Sequence, residues 1–215
     1  MHAISKLVEV VGPSRGDAPL ELGRAQRVFL SSVAFLASMG LAAIWGIAAG
    51  SRAGHIGLES ALKVPLLLLA SIVAALPLGF LVYRLTSSRG RPSNLVLGHA
   101  AATFTGALVL ALSAPIVALY QYSSVWAGPV VALVSAGVAI AVSFAIFLRV
   151  LVKLHTNGAW TSFVAPVALL LLLQGAALFQ LASISTPILP QRTPIERGVD
   201  GLHEMHELHE QESAQ

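Results

Sequence analysis

Charged side chains are scarce in this sequence. They make up 11% of its 215 residues, which is less than half of the usual quarter in soluble proteins, while apolar types make up 56%. A soluble domain of this size could not cover its surface with so few charges, so the composition predicts a membrane protein. The sequence also has no cysteine, which excludes a disulfide framework, a thiolate metal site and a cysteine nucleophile.

Acidic residues are absent from the whole stretch between Glu59 and Glu196. Proton relays and ion-coupled transporters usually carry a carboxylate inside the membrane, and a Ser/His/Asp triad or a pair of catalytic carboxylates needs one as well. His99 and His155 lie near the ends of apolar stretches, where we interpret them as interfacial residues. The sequence therefore predicts that the protein is not an enzyme, and it argues against a pump or an intramembrane protease.

Five apolar stretches are long enough to cross a hydrocarbon core of roughly 30 Å, which takes about 20 residues. Backbone groups find no water inside a bilayer, so each stretch must be helical. The predicted fold is therefore an all-α polytopic membrane helix bundle with about five transmembrane helices. The predicted spans are residues 28–50, 64–83, 95–120, 128–148 and 160–184.

The distribution of lysine and arginine predicts the orientation, because these residues are enriched in cytoplasmic segments. Nine of the 13 basic residues fall in the N-terminal, second-loop and fourth-loop segments, and four fall in the alternate segments. This pattern predicts that the N-terminus lies in the cytoplasm and the C-terminus outside it. Residues 1–27 are then a cytoplasmic segment, residues 28–186 the bundle, and residues 187–215 an extracytoplasmic tail that begins with a proline-rich linker.

The N-terminal segment carries a short apolar pattern. Ile4, Leu7, Val8 and Val11 have the spacing of one helical face. Two interpretations remain open, namely an amphipathic helix on the cytoplasmic leaflet or a frayed terminus with accidental spacing.

Small residues and prolines mark predicted positions of close packing and bending. Ala42, Gly46 and Gly50 recur every four residues in the first span, a pattern that predicts close helix packing within the bundle or with another subunit. Pro77 and Pro115 lie inside the second and third spans and predict helix kinks. Such kinks either frame a cavity or hinge, or are simply tolerated because neighbouring groups take up the freed carbonyls.

The C-terminal tail differs in charge from the rest of the chain. The net charge is +8 over residues 1–195 and −5 over residues 196–215. The tail contains His203, His206 and His209, each followed by glutamate, and neutral imidazole is a good ligand for zinc, copper or nickel. Metal binding is one hypothesis for the tail, and docking on a partner or a solvated tail are the alternatives. The spacing of the H-E-x-x-H zinc-hydrolase motif is absent, and no other cofactor is predicted.

Three short motifs carry a resemblance. Residues 62–67 (LKVPLL), 76–78 (LPL) and 113–118 (SAPIVA) resemble an uncharacterised family of bacterial multi-pass inner-membrane proteins. The resemblance implies a bacterial origin, a multi-pass topology and location in the inner membrane, and it implies no activity.

These observations lead to one main hypothesis for the function and two alternatives. The main hypothesis is a non-catalytic accessory or scaffold subunit of a bacterial inner-membrane complex, which contacts membrane lipid and other membrane-protein subunits or copies of itself. The alternatives are a small transporter or channel for a neutral or anionic solute, and an extracytoplasmic metal-binding protein acting through its tail. The membrane topology explains the excess of lysine and arginine, so nucleic acid is not an expected partner.

Overall fold

The computed structural model describes residues 22–51, 55–86, 92–124, 126–154, 164 and 167–176. Nearly all of these residues are helical, and none of them lies in a strand. The helices are α1 (Arg24–Gly50), α2 (His55–Thr86), α3 (Pro92–Ser123), α4 (Ala127–Leu154) and α5 (Val167–Ala176). The described part of the chain is therefore all-α.

The first four helices are long enough and apolar enough to cross a membrane. Their lengths run from 27 to 32 residues, and at about 1.5 Å per residue each exceeds the roughly 30 Å of a hydrocarbon core. This fits a multi-pass membrane protein. In the predicted fifth span, the structure describes Val164 and the ten residues of helix α5, and the remainder lies outside the described residues. The fifth span therefore stays a prediction.

Helix α3 lies at the centre of the described bundle, with α1 and α4 packed on it and α2 packed on α1. Arg27 near the start of α1 contacts Asn94 near the start of α3, so these two helices run in the same direction. Gly46 near the end of α1 lies against Ser60 near the start of α2, so this pair is antiparallel. Helix α5 reaches α2 where Leu170 lies against Gly79.

The distribution of side-chain size differs between the inside and the outside of the bundle. Many buried positions on α1 and α3 hold alanine, glycine or serine, whereas large apolar side chains point outward from every one of the four long helices. Soluble monomers rarely expose a continuous apolar surface of more than a few hundred Å², so such an exterior suits lipid. Examples of outward-facing residues with more than half of their surface exposed are Leu36, Leu62, Leu112 and Ile140.

The two ends of the bundle differ in chemistry. The end that holds the starts of α1 and α3 carries five of the six basic side chains that the structure describes, and we call it the basic end. The opposite end carries the sixth, Lys63, together with three exposed aromatic side chains, and we call it the aromatic end. The basic end contains Arg24, Arg27, Arg84, Arg149 and Lys153, and the aromatic end contains Tyr120, Tyr122 and Trp126.

Candidate functional site

Arg27 connects two helices at the basic end. It lies in the first turn of α1 and is buried, with 8% of its surface exposed. Its Nη1 donates to Asn94 Oδ1 at 2.7 Å and to Ser93 Oγ at 3.3 Å. Charge-assisted hydrogen bonds are stronger than neutral ones, so this contact fixes the start of α1 on the start of α3.

His99 is a fully buried ionisable residue on α3. Its side chain has no exposed surface and lies between Phe35 of α1, with ring centroids 6.1 Å apart, and Phe147 of α4, at 5.5 Å. Neither ring nitrogen has a hydrogen-bond partner among the described residues. Each buried polar atom left in this state costs about 1–3 kcal/mol.

The close approach of α4 to α3 explains why His99 is buried. A Cβ atom on Gly98 would lie 2.9 Å from Phe147 and 3.3 Å from Leu151, so the glycine lets the two helices meet. The carbonyl of His99 accepts a hydrogen bond from the Thr103 hydroxyl at 2.9 Å. Almost every residue of α3 from Asn94 to Ala107 is buried, so the imidazole has no route to the surface along this part of the helix.

The chemistry available to His99 is that of a single imidazole. It can donate one hydrogen bond, accept another, or bind a metal through one nitrogen. No group of three or more histidine, cysteine or acidic side chains occurs within the described residues, so the described part of the chain offers His99 no partners for a metal centre. An ionisable residue inside a membrane bundle is by default a candidate functional residue, and His99 is that candidate here.

A second buried polar side chain lies near the aromatic end. Gln121 of α3 has no exposed surface, and neither atom of its amide has a hydrogen-bond partner within the described ranges. A Cβ atom on Gly128 would lie 2.7 Å from Gln121 Oε1, so the amide packs against the start of α4. Nearby, the Tyr122 hydroxyl donates to the Ser51 carbonyl at 3.1 Å and joins the ends of α1 and α3.

Two serines of α4 make hydrogen bonds to other helices. Ser143 Oγ donates to the carbonyl of Ala102 on α3 at 3.0 Å, and Trp45 Nε1 of α1 donates to Ser135 Oγ at 3.2 Å. In contrast, the hydroxyls of three α3 residues donate to carbonyls of their own helix. These are Thr103, Thr105 and Ser113.

The predicted small-residue face of the first span lies inside the bundle. Ala42, Gly46 and Gly50 are all buried. A Cβ atom on Gly46 would lie 2.5 Å from the carbonyl oxygen of Ser60 and 3.1 Å from Val64 Cγ2. This glycine therefore marks a close approach of α1 and α2.

The two predicted kink positions face away from the interior. Pro77 lies inside α2 and Pro115 inside α3, and both residues are exposed on the outside of the described bundle. Their kinks stay predictions. The exposed positions do not line an interior cavity between the described helices.

The remaining predicted sites fall elsewhere in the chain. His203, His206 and His209 lie outside the described residues, as do His155 and the apolar pattern of residues 4–11. The metal-binding hypothesis for the tail and the amphipathic-helix interpretation therefore stay predictions.

Sequence reasoning did not find the burial of His99 and Arg27. The interfacial position predicted for His99 stays a prediction, and sequence reasoning does not indicate that two phenylalanine rings enclose the side chain. The available signal is the run of small residues around it, Gly98 and Ala100 to Ala102, which is typical of a helix surrounded by other helices. Arg27 carries no comparable signal, because Ser93 and Asn94 are more than 60 positions away in the sequence.

Comparisons with known proteins give no relative: no family model, no curated protein and no solved structure matches this chain.

Proposed function

We propose that this protein is a non-catalytic accessory or scaffold subunit of a bacterial inner-membrane complex. The proposal includes five spans, a cytoplasmic N-terminus and an extracytoplasmic C-terminal tail. The observation that carries it is the tightness of the described interior, where neighbouring helices meet through glycines that leave no room for a methyl group. Contacts this close between the described helices support a role carried out on the outer surface of the bundle.

Close contacts occur at several helix pairs. A Cβ atom on Gly46 would clash with α2, one on Gly98 with Phe147 of α4, and one on Gly106 with Ser143 Oγ. A solute pathway needs polar lining groups around an open lumen. The described interior instead places Ser143 and Ser135 in hydrogen bonds that join helices, which favours a structural role.

The charge distribution supports the proposed orientation. Five of the six described basic side chains lie at the basic end, which also holds the start of α1. Lysine and arginine are enriched on the cytoplasmic side, and exposed tryptophan and tyrosine suit the opposite membrane interface. The choice of a bacterial inner membrane rests on the resemblance of residues 62–67, 76–78 and 113–118.

The two alternative functions remain separate proposals. A transporter or channel could use bends at Pro77 of α2 and Pro115 of α3. Both prolines are exposed on the outside of the described bundle, so the bending would take place on the outer faces of these helices. Metal binding by the tail depends on His203, His206 and His209. Neither alternative draws support from the described contacts.

Site-specific photo-crosslinking in native membranes tests the subunit proposal. Probes replace outward-facing residues on three helices, Gly40 of α1, Ala74 of α2 and Ala141 of α4. We expect at least one face to give an adduct with one protein of defined mass in fixed stoichiometry. The remaining faces, which carry the same probe in the same chain, give lipid adducts and serve as matched controls. Lipid adducts alone from every face would contradict the proposal.

A further inference from the structure

Gln121 and Ser51 carry buried polar atoms at the aromatic end of the bundle. Gln121 has no exposed surface, and neither its Nε2 nor its Oε1 has a hydrogen-bond partner among the described residues. The same holds for the buried hydroxyl of Ser51, which caps the end of α1. Nearly all buried polar side-chain atoms in native proteins have a partner, either in the protein or in ordered water. These three atoms therefore indicate a bound group.

Both side chains extend a buried contact that α1, α3 and α4 share. The buried cluster at this contact takes at least one residue from each helix, among them Ala48, Val117 and Ala132. Ser51 lies three positions after the α1 residue, and Gln121 lies four positions after the α3 residue. Gly128 lies four positions before the α4 residue, and a Cβ atom on it would lie 2.9 Å from the Gln121 Cα. Residues three or four apart are neighbours on a helix surface, so Ser51 and Gln121 occupy the next layer of the same contact.

A hydrogen bond holds Ser51 and Gln121 at the same level of the bundle. The hydroxyl of Tyr122, the residue after Gln121, donates to the Ser51 carbonyl at 3.1 Å. The Gln121 amide and the Ser51 hydroxyl are not bonded to each other, because all three of their polar atoms lack a partner within the described ranges. A group that bridges the two side chains would satisfy them together.

The chemistry of the three atoms fits water better than an ion. The amide nitrogen donates, the amide oxygen accepts, and the serine hydroxyl does both. A calcium or magnesium ion takes about six oxygen ligands and would be repelled by the amide N–H groups, whereas an anion would be repelled by the amide oxygen. Water both donates and accepts, and a buried water makes about three hydrogen bonds.

His99 also buries two polar atoms without described partners, but its surroundings differ. Phe35 and Phe147 enclose the imidazole, and a buried water needs about two to four polar partners, which apolar rings do not provide. Gln121, in contrast, precedes two residues that are exposed at the aromatic end, Tyr122 and Ser123. Water at the membrane interface reaches this part of the chain.

We propose that the aromatic end contains an internal water site, in which a water molecule bridges Gln121 of α3 and Ser51 of α1. The water joins the end of α1 to the place where α3 meets the start of α4. A water-mediated link of this kind is almost as favourable in enthalpy as a direct hydrogen bond. The site does not depend on the proposed subunit role.

Nuclear magnetic resonance of the full-length chain in detergent micelles tests the site directly. In protein labelled with ¹⁵N-glutamine, NOESY and ROESY spectra detect contacts between side-chain NH₂ groups and water. We expect the Gln121 amide to give water cross-peaks of opposite sign in the two spectra, which mark a water molecule that tumbles with the protein. The variant Gln121→Met keeps the length of the side chain and identifies the signal by its loss.

Two serine variants at the aromatic end form a matched pair. Ser51→Ala removes one of the proposed partners of the water, so we expect the loss of the water cross-peaks at Gln121. Ser123→Ala removes an exposed hydroxyl that donates to the Tyr120 carbonyl at 3.5 Å, and the cross-peaks should be retained. Circular dichroism of each variant verifies that the helices are present.

Thermal unfolding gives a second readout of the same site. Gln121→Met removes the hydrogen bonds between the amide and the water, so we expect Tm to fall by about 2–4 °C, the shift that corresponds to one net hydrogen bond in a chain of this size. An amide without any partner would give the opposite result, because its removal would raise Tm.

Three outcomes would overturn the proposal. The first is the absence of water cross-peaks at Gln121 in the native chain, a result that requires no variant to fold. The second is their persistence at full intensity in Ser51→Ala, which would exclude Ser51 from the site. The third is a higher Tm of Gln121→Met than of the native chain.

Discussion

At the scale of single residues, His99 is one of two described side chains, with Gln121, that each bury two polar atoms without a hydrogen-bond partner. Its two ring nitrogens are buried without hydrogen-bond partners among the described residues, and the phenylalanine rings beside it offer only weak polar contacts. Phe35 and Phe147 are 64 and 48 positions away in the sequence, so no local pattern around residue 99 predicts this burial. The sequence shows that residue 99 is a histidine, but the burial of its side chain depends on how α1 and α4 pack on α3.

Replacing His99 by leucine should stabilise the protein. Leucine has a similar volume, and it removes two buried polar atoms that each cost about 1–3 kcal/mol. We expect His99→Leu to raise the free energy of unfolding by at least about 2 kcal/mol, the sum of the lower values for the two atoms, measured by unfolding in a mixed detergent system. His99→Gln keeps a buried donor and acceptor and serves as the control, with no expected gain. A clear loss of stability in His99→Leu would contradict the expectation that the buried imidazole costs stability.

At the scale of elements, the helices extend beyond the apolar stretches that predict them. Helix α2 begins at His55 and ends at Thr86, whereas the corresponding apolar stretch covers residues 64–83. Hydropathy detects where lipid surrounds a helix, but the helix continues because its backbone groups still bond to each other in the interfacial region. For the same reason sequence patterns indicate helices well and their ends poorly.

The packing partners of the helices could be predicted only in part. The repeat of Ala42, Gly46 and Gly50 indicates a close contact but does not identify its partner, which in the structure is α2 at Ser60. A repeat with the same spacing lies on α3 at Gly98, Ala102 and Gly106, and in the structure both of its glycines face α4. A close approach depends on the shapes of both helix surfaces that meet, whereas the sequence pattern of one helix describes only its own surface.

Two glycines of α1 give a matched test of this packing. A methyl group on Gly46 would lie 2.5 Å from the Ser60 carbonyl oxygen, whereas one on Gly40 would meet nothing within 4 Å. Overpacking a tight contact costs about 1–3 kcal/mol, so Gly46→Ala should lower the unfolding free energy by that amount. Gly40→Ala should leave it unchanged or slightly higher, because alanine is the better helix former. Equal effects of the two substitutions in thermal unfolding would contradict the close contact between α1 and α2.

At the scale of the whole molecule, the described bundle has an interior that combines many small residues with clusters of large apolar side chains, an apolar exterior and two chemically different ends. Composition alone predicts the apolar exterior, since 56% of the residues are apolar and only 11% are charged. The gathering of Arg24, Arg84 and Arg149 at one end follows from the alternating directions of the helices. The proposed accessory role depends on these helices crossing a membrane, and the proposed orientation places the basic end in the cytoplasm.

The absence of cysteine permits a direct measurement of this arrangement. Single cysteines are introduced at Gly23, which is exposed beside the basic end, and at Ser123, which is exposed at the aromatic end. Bacterial cells with a permeable outer membrane are treated with a membrane-impermeant maleimide before and after the inner membrane is opened. We predict that Ser123→Cys is labelled in both conditions and Gly23→Cys only after opening. Labelling of both cysteines from the same side, or of Gly23→Cys alone in unopened cells, would contradict the account.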